Sequence, residues 1–235
     1  WVGGDMDGNP NVGADTFEST IARQRKLLLD RYAGELRSLA DQLSDSSNRV
    51  AIDARVLERL MSYESLLPDD AAALAERYRD MPYRNLLTLM EARIVATRDG
   101  KEGAYEASRH FVEDLQLIES TMAKASQVAA GYRVRRLLRR AETFGFHLAT
   151  IDVRQDSLVH RRAVGALLGD EGFAERDAIE RSARIVKAFG EDWTNRDLSA
   201  LREGSEDLER TLAMLEAIGR VRKATSERAI GPYII

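Results

Sequence analysis

Between Asp15 and Leu43 the apolar residues Phe17, Ile21, Leu28, Tyr32, Leu36, Leu39 and Leu43 recur at spacings of three, four or seven. That is the period of one helix face, not of a strand, and it persists for about eight turns. Asp15 is placed to cap such a helix, and Glu18, three residues on, completes a capping box. A chain committed to one helix of this length has already left the all-β classes. The scarcity of chain breakers agrees: there are four prolines in 235 residues, and Ala, Leu, Arg and Glu dominate.

The same pattern continues beyond the break at residues 45–48. Helices are predicted from Asp53 to Leu66, ended by Pro68, and from Asp70 to Tyr78, capped by Asp69. Pro82 starts another, which carries Leu86, Leu89, Met90, Ile94 and Val95 to Asp99 and Gly100. Further helices are predicted over residues 104–124, Gly131 to Thr143, Ser157 to Leu168, Gly172 to Phe189 and Ser205 to Lys223. The basic run RVRRLLRR within residues 133–140 has the look of a nucleic-acid patch. Val134, Leu137, Leu138 and Ala141 interleave an apolar stripe, however, so the arginines read as a solvated helix face.

Two stretches depart from the helical texture. In FGFHLATIDVRQDS, residues 144–157, Phe146, Leu148, Thr150 and Asp152 alternate with His147, Ala149, Ile151 and Val153, a period of two that predicts a strand. AIGPYII, residues 229–235, is apolar and β-branched and predicts another. The expected class is therefore mainly α, with long helices and a few short strands. A strand with nothing after it and a glycine-rich opening with nothing before it suggest cuts at both termini. Strand edges left unpaired by such cuts would favour self-association.

A hydrophobic content of 44% is that of a globular protein, and the net charge of −4 offers no global field for nucleic acid or an anionic membrane. With no cysteine there is neither a disulfide nor a thiolate metal site, which suits a reducing compartment. No apolar run is long enough to span a bilayer and no signal peptide is recognisable, so a soluble cytoplasmic protein is expected.

The opening WVGGDMDGNPNV raises a choice between ligand loop, calcium turn and linker. A calcium loop beginning at Asp5 would find oxygens on Asp5, Asp7 and Asn9, but it would put Pro10 where glycine is needed and Thr16 where the bidentate glutamate belongs. Neither glycine-rich phosphate-binding pattern is present. What survives is a loop in which Gly3, Gly4 and Gly8 permit unusual backbone while Asp5, Asp7 and Asn9 supply acceptors, either for a ligand or for their own backbone. In the second stretch Arg154 sits just past the apolar part of a strand, flanked by Gln155 and Asp156. Its guanidinium could grip a phosphate or carboxylate bidentately, or pair structurally with an aspartate. His110, His147 and His160 have no metal-ligand spacing and read as structural.

Taken together these stretches resemble the phosphoenolpyruvate carboxylase family. WVGGDMDGNPNV is similar to its W-x-G-G-D-R-D-G-N-P signature, and FGFHLATIDVRQDS, continued by His160, is similar to F-G-F-x-L-x-x-x-D-x-R-Q-[DE]-S. AIGPYII resembles the strand read as G-x-Y-[IV]-I-S. The resemblance runs along essentially the whole chain but covers only a middle portion of the family. It implies a single helical domain, residues 1–235, cut from a mainly α-helical protein built around an eight-stranded β-barrel.

The resemblance also implies the chemistry. Members carboxylate phosphoenolpyruvate with bicarbonate to oxaloacetate and phosphate, using Mg²⁺ or Mn²⁺, usually as cytoplasmic homotetramers. Trp1 matches the tryptophan that walls the apolar side of the substrate pocket, and Arg154 the arginine that binds the substrate phosphate. Gly3, Gly4, Asp5, Asp7, Gly8 and Asn9 match the signature loop and would shape the mouth, while Gln155 and Asp156 would orient Arg154. Met6 stands where the signature has arginine, which removes a positive charge from the loop. The family's T-A-H-P, G-Y-S-D-S-x-K-D and G-R-G-G segments have no counterpart here, so the metal ligands are expected outside this chain and the isolated piece is expected to be inactive. The competing reading, with Met6 as its support, is a non-catalytic all-α scaffold or interaction domain derived from that family.

Overall fold

A computed structural model of the chain describes residues 3–9, 11–43, 46–49, 51–74, 76–122, 128–191 and 198–235. Among these the structure is mainly helical. The helices are α1 (Ala14–Gln42), α2 (Ala54–Leu66), α3 (Pro68–Ala72), α4 (Pro82–Asp99), α5 (Ser108–Met122), α6 (Val128–Phe144), α7 (Ser157–Leu168), α8 (Ala178–Phe189), α9 (Leu198–Glu203) and α10 (Glu206–Ala224). Two short strands, β1 (Ile151–Arg154) and β2 (Ile230–Ile234), pair in parallel. No helix among the described residues is long and apolar enough to cross a membrane. The chain divides into two compact units, residues 23–149 and residues 1–22 with 150–235.

Local chemistry sets most boundaries. Pro82 opens α4 at a position whose missing N–H costs nothing, and Gly100 closes it in the left-handed region at φ +65°. Asp156 caps α7 by accepting the Leu158 N–H at 2.7 Å, and Gly169 ends it at φ +65°. The long first helix forms as its apolar stripe predicts, yet Asp15 is not its cap. The Gly13 carbonyl accepts the first helical bond from Phe17, so Asp15 lies inside the first turn, where its charge suits the helix dipole. Glu18 pairs with Arg220 at 2.7 Å instead of reaching back to the helix start.

Other departures have equally local causes. The helix expected over residues 70–78 is the short α3 followed by a 3-10 turn at Glu76–Tyr78, because Pro68 itself starts the helix. α5 begins only at Ser108, since the preceding loop is held elsewhere. The Arg93 guanidinium donates to the carbonyls of Gly103 and Ala104, each at 3.1 Å, and Tyr105 N–H donates to Thr97 Oγ1 at 2.8 Å. The helix expected from Gly172 is split by the Asp177 carboxylate, which caps α8 through the N–H groups of Ile179 and Glu180. α9 lies outside the helices that the apolar spacing predicts. The strand expected from residue 144 begins only at Ile151, because Gly145 at φ +51° and Leu148 at φ +74° bend the backbone out of the pleat.

The unit of residues 23–149 packs α2, α4, α5, α6 and most of α1 around Tyr32, Leu36, Leu86, Leu89, Met90, Phe111, Leu115 and Leu137. Val134, Leu137, Leu138 and Ala141 turn into this core. The arginines of the same helix face outward or into pairs: Arg135 with Glu119, Arg140 with Glu35, and Arg133 with the Ser38 hydroxyl. The basic run is thus a paired, solvated face.

Among the described residues of this unit three charged side chains are buried, Glu35, Arg93 and, most deeply, Asp114. The fully buried Asp114 carboxylate accepts hydrogen bonds from Tyr63, Tyr105 and Arg59. Arg93 stacks over the rings of Tyr105 and Tyr63, 3.9 and 4.6 Å from their centres. Burial pushes the Asp114 carboxyl up, while the two hydroxyls and the guanidinium groups pull it back. Removing the acceptor would strand two tyrosine hydroxyls and a guanidinium. Asp114→Ala should therefore cost about 3–5 kcal/mol, and Asp114→Asn distinctly less, read as the shift of the urea unfolding midpoint. A midpoint unmoved by Asp114→Ala would show that the network contributes nothing.

Candidate functional site

Arg154 ends β1, and its backbone is fixed from both sides. Its N–H donates to the Gly4 carbonyl at 2.8 Å, and its carbonyl accepts the Met6 N–H at 2.9 Å, which makes Asp5 and Arg154 a parallel bridge pair. On the other side β2 pairs Ile151 with Ile230, Val153 with Tyr233 and Arg154 with Ile234, with an irregularity between Ile151 and Val153. The first bond beyond the strand runs from Gln155 N–H to the Ile234 carbonyl at 3.0 Å. The opening segment, β1 and β2 are therefore three parallel neighbours with β1 in the middle.

The pleat sorts their side chains. Ile151 and Val153 are buried with Met6 against Phe17 and Ile21 of α1 and Met214, Ala217 and Val221 of α10. Alternation puts Asp152 and Arg154 on the opposite face, and the bridge pairing puts Asp5 beside Arg154 there. Met6 is 2% exposed, so the neutral residue found where the signature has arginine lies in the apolar core and leaves the Arg154 face unchanged.

Close backbone approach explains three glycines. A Cβ on Gly4 would overlap the Asp152 carbonyl oxygen and crowd Ile151; one on Gly3, already at φ +93°, would overlap Thr20. A Cβ on Gly231 of β2 would overlap the Asp152 carboxylate. Gly8 differs: its φ of +66° favours glycine, but nothing lies within 4 Å of the place a side chain would take.

The polar groups of the opening loop serve its own backbone. Asp5 accepts the Asp7 N–H at 3.3 Å, and Asn9 accepts the Asn11 N–H at 3.1 Å. Asp7 is exposed, and Trp1 lies outside the described residues. Arg210 of α10 holds the carbonyls of Asn9 and Val12, each at 3.0 Å, an anchor no local pattern announces because it comes from 198 or more residues away. Gln155 is buried, its carbonyl oxygen accepting the Asp156 N–H at 3.0 Å and its amide nitrogen 3.8 Å from the Met6 sulfur. With Asp156 capping α7, both residues that follow Arg154 are engaged in fixing how the chain leaves β1.

Sequence reasoning also passes over the pairing of His160, on α7, with Tyr233, on β2. His160 Nε2 lies 2.8 Å from the Tyr233 hydroxyl, the rings meeting edge to face at 5.3 Å. Burial lowers the His160 pKa and raises that of Tyr233, so both are neutral at pH 7. No group of three or more His, Asp or Glu side chains that could hold a metal ion occurs among the described residues. The chemistry this arrangement offers is anion recognition by a guanidinium at the C-terminal end of a parallel strand, on the face opposite α1 and α10.

A family model for phosphoenolpyruvate carboxylase matches residues 1–235. Phosphoenolpyruvate carboxylases of Xanthomonas euvesicatoria and Xanthomonas campestris are 45% and 44% identical over all of this chain, and that of Chromobacterium violaceum is 33% identical. The chain spans 26% of the length of the two Xanthomonas relatives and 27% of the third.

The glycine geometry separates two substitutions in the opening loop. Gly4→Ala should cost about 2–3 kcal/mol and speed exchange of the Arg154 amide, because the new methyl group would break the pairing that protects it. Gly8→Ala should cost about 1 kcal/mol, the strain of φ alone, and leave that amide as it was. Equal effects on Arg154 exchange would refute the assigned roles.

Proposed function

The chain belongs to the phosphoenolpyruvate carboxylase family, and from that premise we propose that it is the central portion of an enzyme that carboxylates phosphoenolpyruvate with bicarbonate to oxaloacetate and phosphate. Its structural support is Arg154, held at the end of a parallel strand on the face opposite α1 and α10. In this reading Arg154 binds the substrate phosphate. The Gly4–Met6 segment, β1 and β2 are three staves of an eight-stranded barrel in the whole protein, and Trp1 walls the methylene side of the substrate.

The reaction then runs in two stages. A bicarbonate oxygen attacks phosphorus, and the bond from phosphorus to the enol oxygen breaks, leaving carboxyphosphate and the enolate of pyruvate. Carboxyphosphate gives up phosphate and carbon dioxide, and the enolate carbon attacks the carbon dioxide to form oxaloacetate. Arg154 serves the first stage. A guanidinium preset at the phosphoryl oxygens stabilises the charge that builds there without reorganising.

The family's Mg²⁺ or Mn²⁺ finds no fitting ligand group among the described residues, and its ligands are assigned to the rest of the protein. Turnover, tetramer assembly and residence in the cytoplasm likewise belong to the whole protein, of whose relatives this chain spans about a quarter. The 235 residues alone are then inactive. The scaffold reading rested on Met6, and burial of Met6 on the face opposite Arg154 withdraws that support.

A coupled oxaloacetate assay tests this on the full-length protein and on the 235-residue chain. The full-length protein should turn over, the chain should not, and Arg154→Gln in the full-length protein should lower kcat by about 10²–10³-fold. Activity of the isolated chain would overturn the division of labour, and an inactive, folded full-length protein would favour the scaffold.

A further inference from the structure

The turn that leaves Arg154 is enclosed by two bonds. At its start the Gln155 N–H is held by the Ile234 carbonyl at 3.0 Å. One helical turn later His160 Nε2 meets the hydroxyl of Tyr233, the residue before Ile234, at 2.8 Å. Residues 155–160 and 233–234 thus close a ring between β1, α7 and β2, with Arg154 immediately outside it. We propose that His160 and Tyr233 are positioning residues for Arg154: their bond sets where α7 starts against β2, and so the angle at which β1 presents the guanidinium. The proposal rests on the reading of Arg154 as the phosphate-binding group.

Three observations point the same way. The rest of the turn is already saturated, with Asp156 capping α7 and Gln155 bonded at its backbone N–H and side-chain carbonyl. His160 and Tyr233 are therefore the polar link, among the described residues, from the first turns of α7 to β2. The link is also stiff, because the edge-on ring contact restricts both side chains in addition to the hydrogen bond. Lastly, Tyr233 is the register partner of Val153, one residue before Arg154, so a shift of Tyr233 is transmitted to Arg154 through adjacent pairs. A tyrosine bonded only because its hydroxyl is half-buried would matter for stability but not for kcat/KM, and the test separates these roles.

Tyr233→Phe, His160→Leu, the double variant and His160→Gln are made in the full-length enzyme, with Arg154→Lys alongside. Tyr233→Phe deletes a single oxygen and keeps the packing, so it is the variant least prone to misfold. Loss of one positioning bond should lower kcat/KM for phosphoenolpyruvate about fivefold in Tyr233→Phe and in His160→Leu, through kcat as well as KM because Arg154 acts on the transferring phosphoryl. The double variant should be no worse than either single variant, since both remove the same bond. His160→Gln, which can still reach the hydroxyl, should recover most of that loss. Exchange of the Gln155 amide should quicken in Tyr233→Phe. Unchanged kcat/KM in Tyr233→Phe, or effects that add in the double variant, would overturn the proposal. If Arg154→Lys also behaves like the parent, the phosphate-binding reading fails with it. If Arg154→Lys is impaired while Tyr233→Phe is not, the positioning role alone fails.

Discussion

Arg154 gives its N–H to Gly4 and takes one from Met6, residues about 150 positions away in the chain, while its neighbour Gln155 is bonded to Ile234 on the other side. These few backbone bonds make one parallel arrangement out of three distant segments. Most other features of the unit formed by residues 1–22 and 150–235 follow from that arrangement. Parallel neighbours need long crossovers, and the helices of the chain supply them. A middle strand bonded on both sides has little freedom, so a side chain at its end is preorganised before any ligand arrives. On the proposed reading, in which Arg154 meets a charged phosphoryl in a fixed place, that rigidity is the useful property.

Much of the fold was readable because helices announce themselves by period. The helix expected from Asp15 to Leu43 matches α1 to within a residue at each end, and Pro82 with Gly100 brackets α4. Reading failed where a tertiary bond overrode local pattern. Residues 144–150 alternate as a strand does, yet Leu148 at φ +74° and Gly145 at φ +51° take them out of the pleat, and Phe146 packs into the core of residues 23–149 instead. The loop before α5 has helical texture in sequence. Arg93 and Thr97 claim its backbone through bonds that no window of residues displays.

The candidate site was legible in a different way. Its motif residues could be named, and Arg154 lies where a strand end was expected. What the motifs could not give was facing. Met6 reads in sequence as a lost positive charge in a polar loop, whereas in the fold it is a core side chain beneath Ile151 and Val153. What Gly231, Arg210 and Tyr233 do went unread, although Gly231 and Tyr233 stand in the terminal motif, because each acts across more than 70 residues of chain.

Facing depends on register, and register here is set by space. Because side chains alternate, a slip of one residue between the opening segment and β1 would carry Met6 to the Arg154 face and drive the carboxylate of Asp5 into the apolar core. Burying that charge unpaired would cost several kcal/mol, but the glycines act earlier than that penalty. Gly4 fits against the Asp152 carbonyl only because it lacks a side chain, and Gly231 makes room for the Asp152 carboxylate in the same way. A slip that brought Asp5 into the first notch, or Ile230 or Pro232 into the second, would put a side chain where only a glycine fits. The glycines that look in sequence like a flexible loop are therefore what makes the three segments meet in one way, with Asp5, Asp152 and Arg154 together on one face and Met6 on the other.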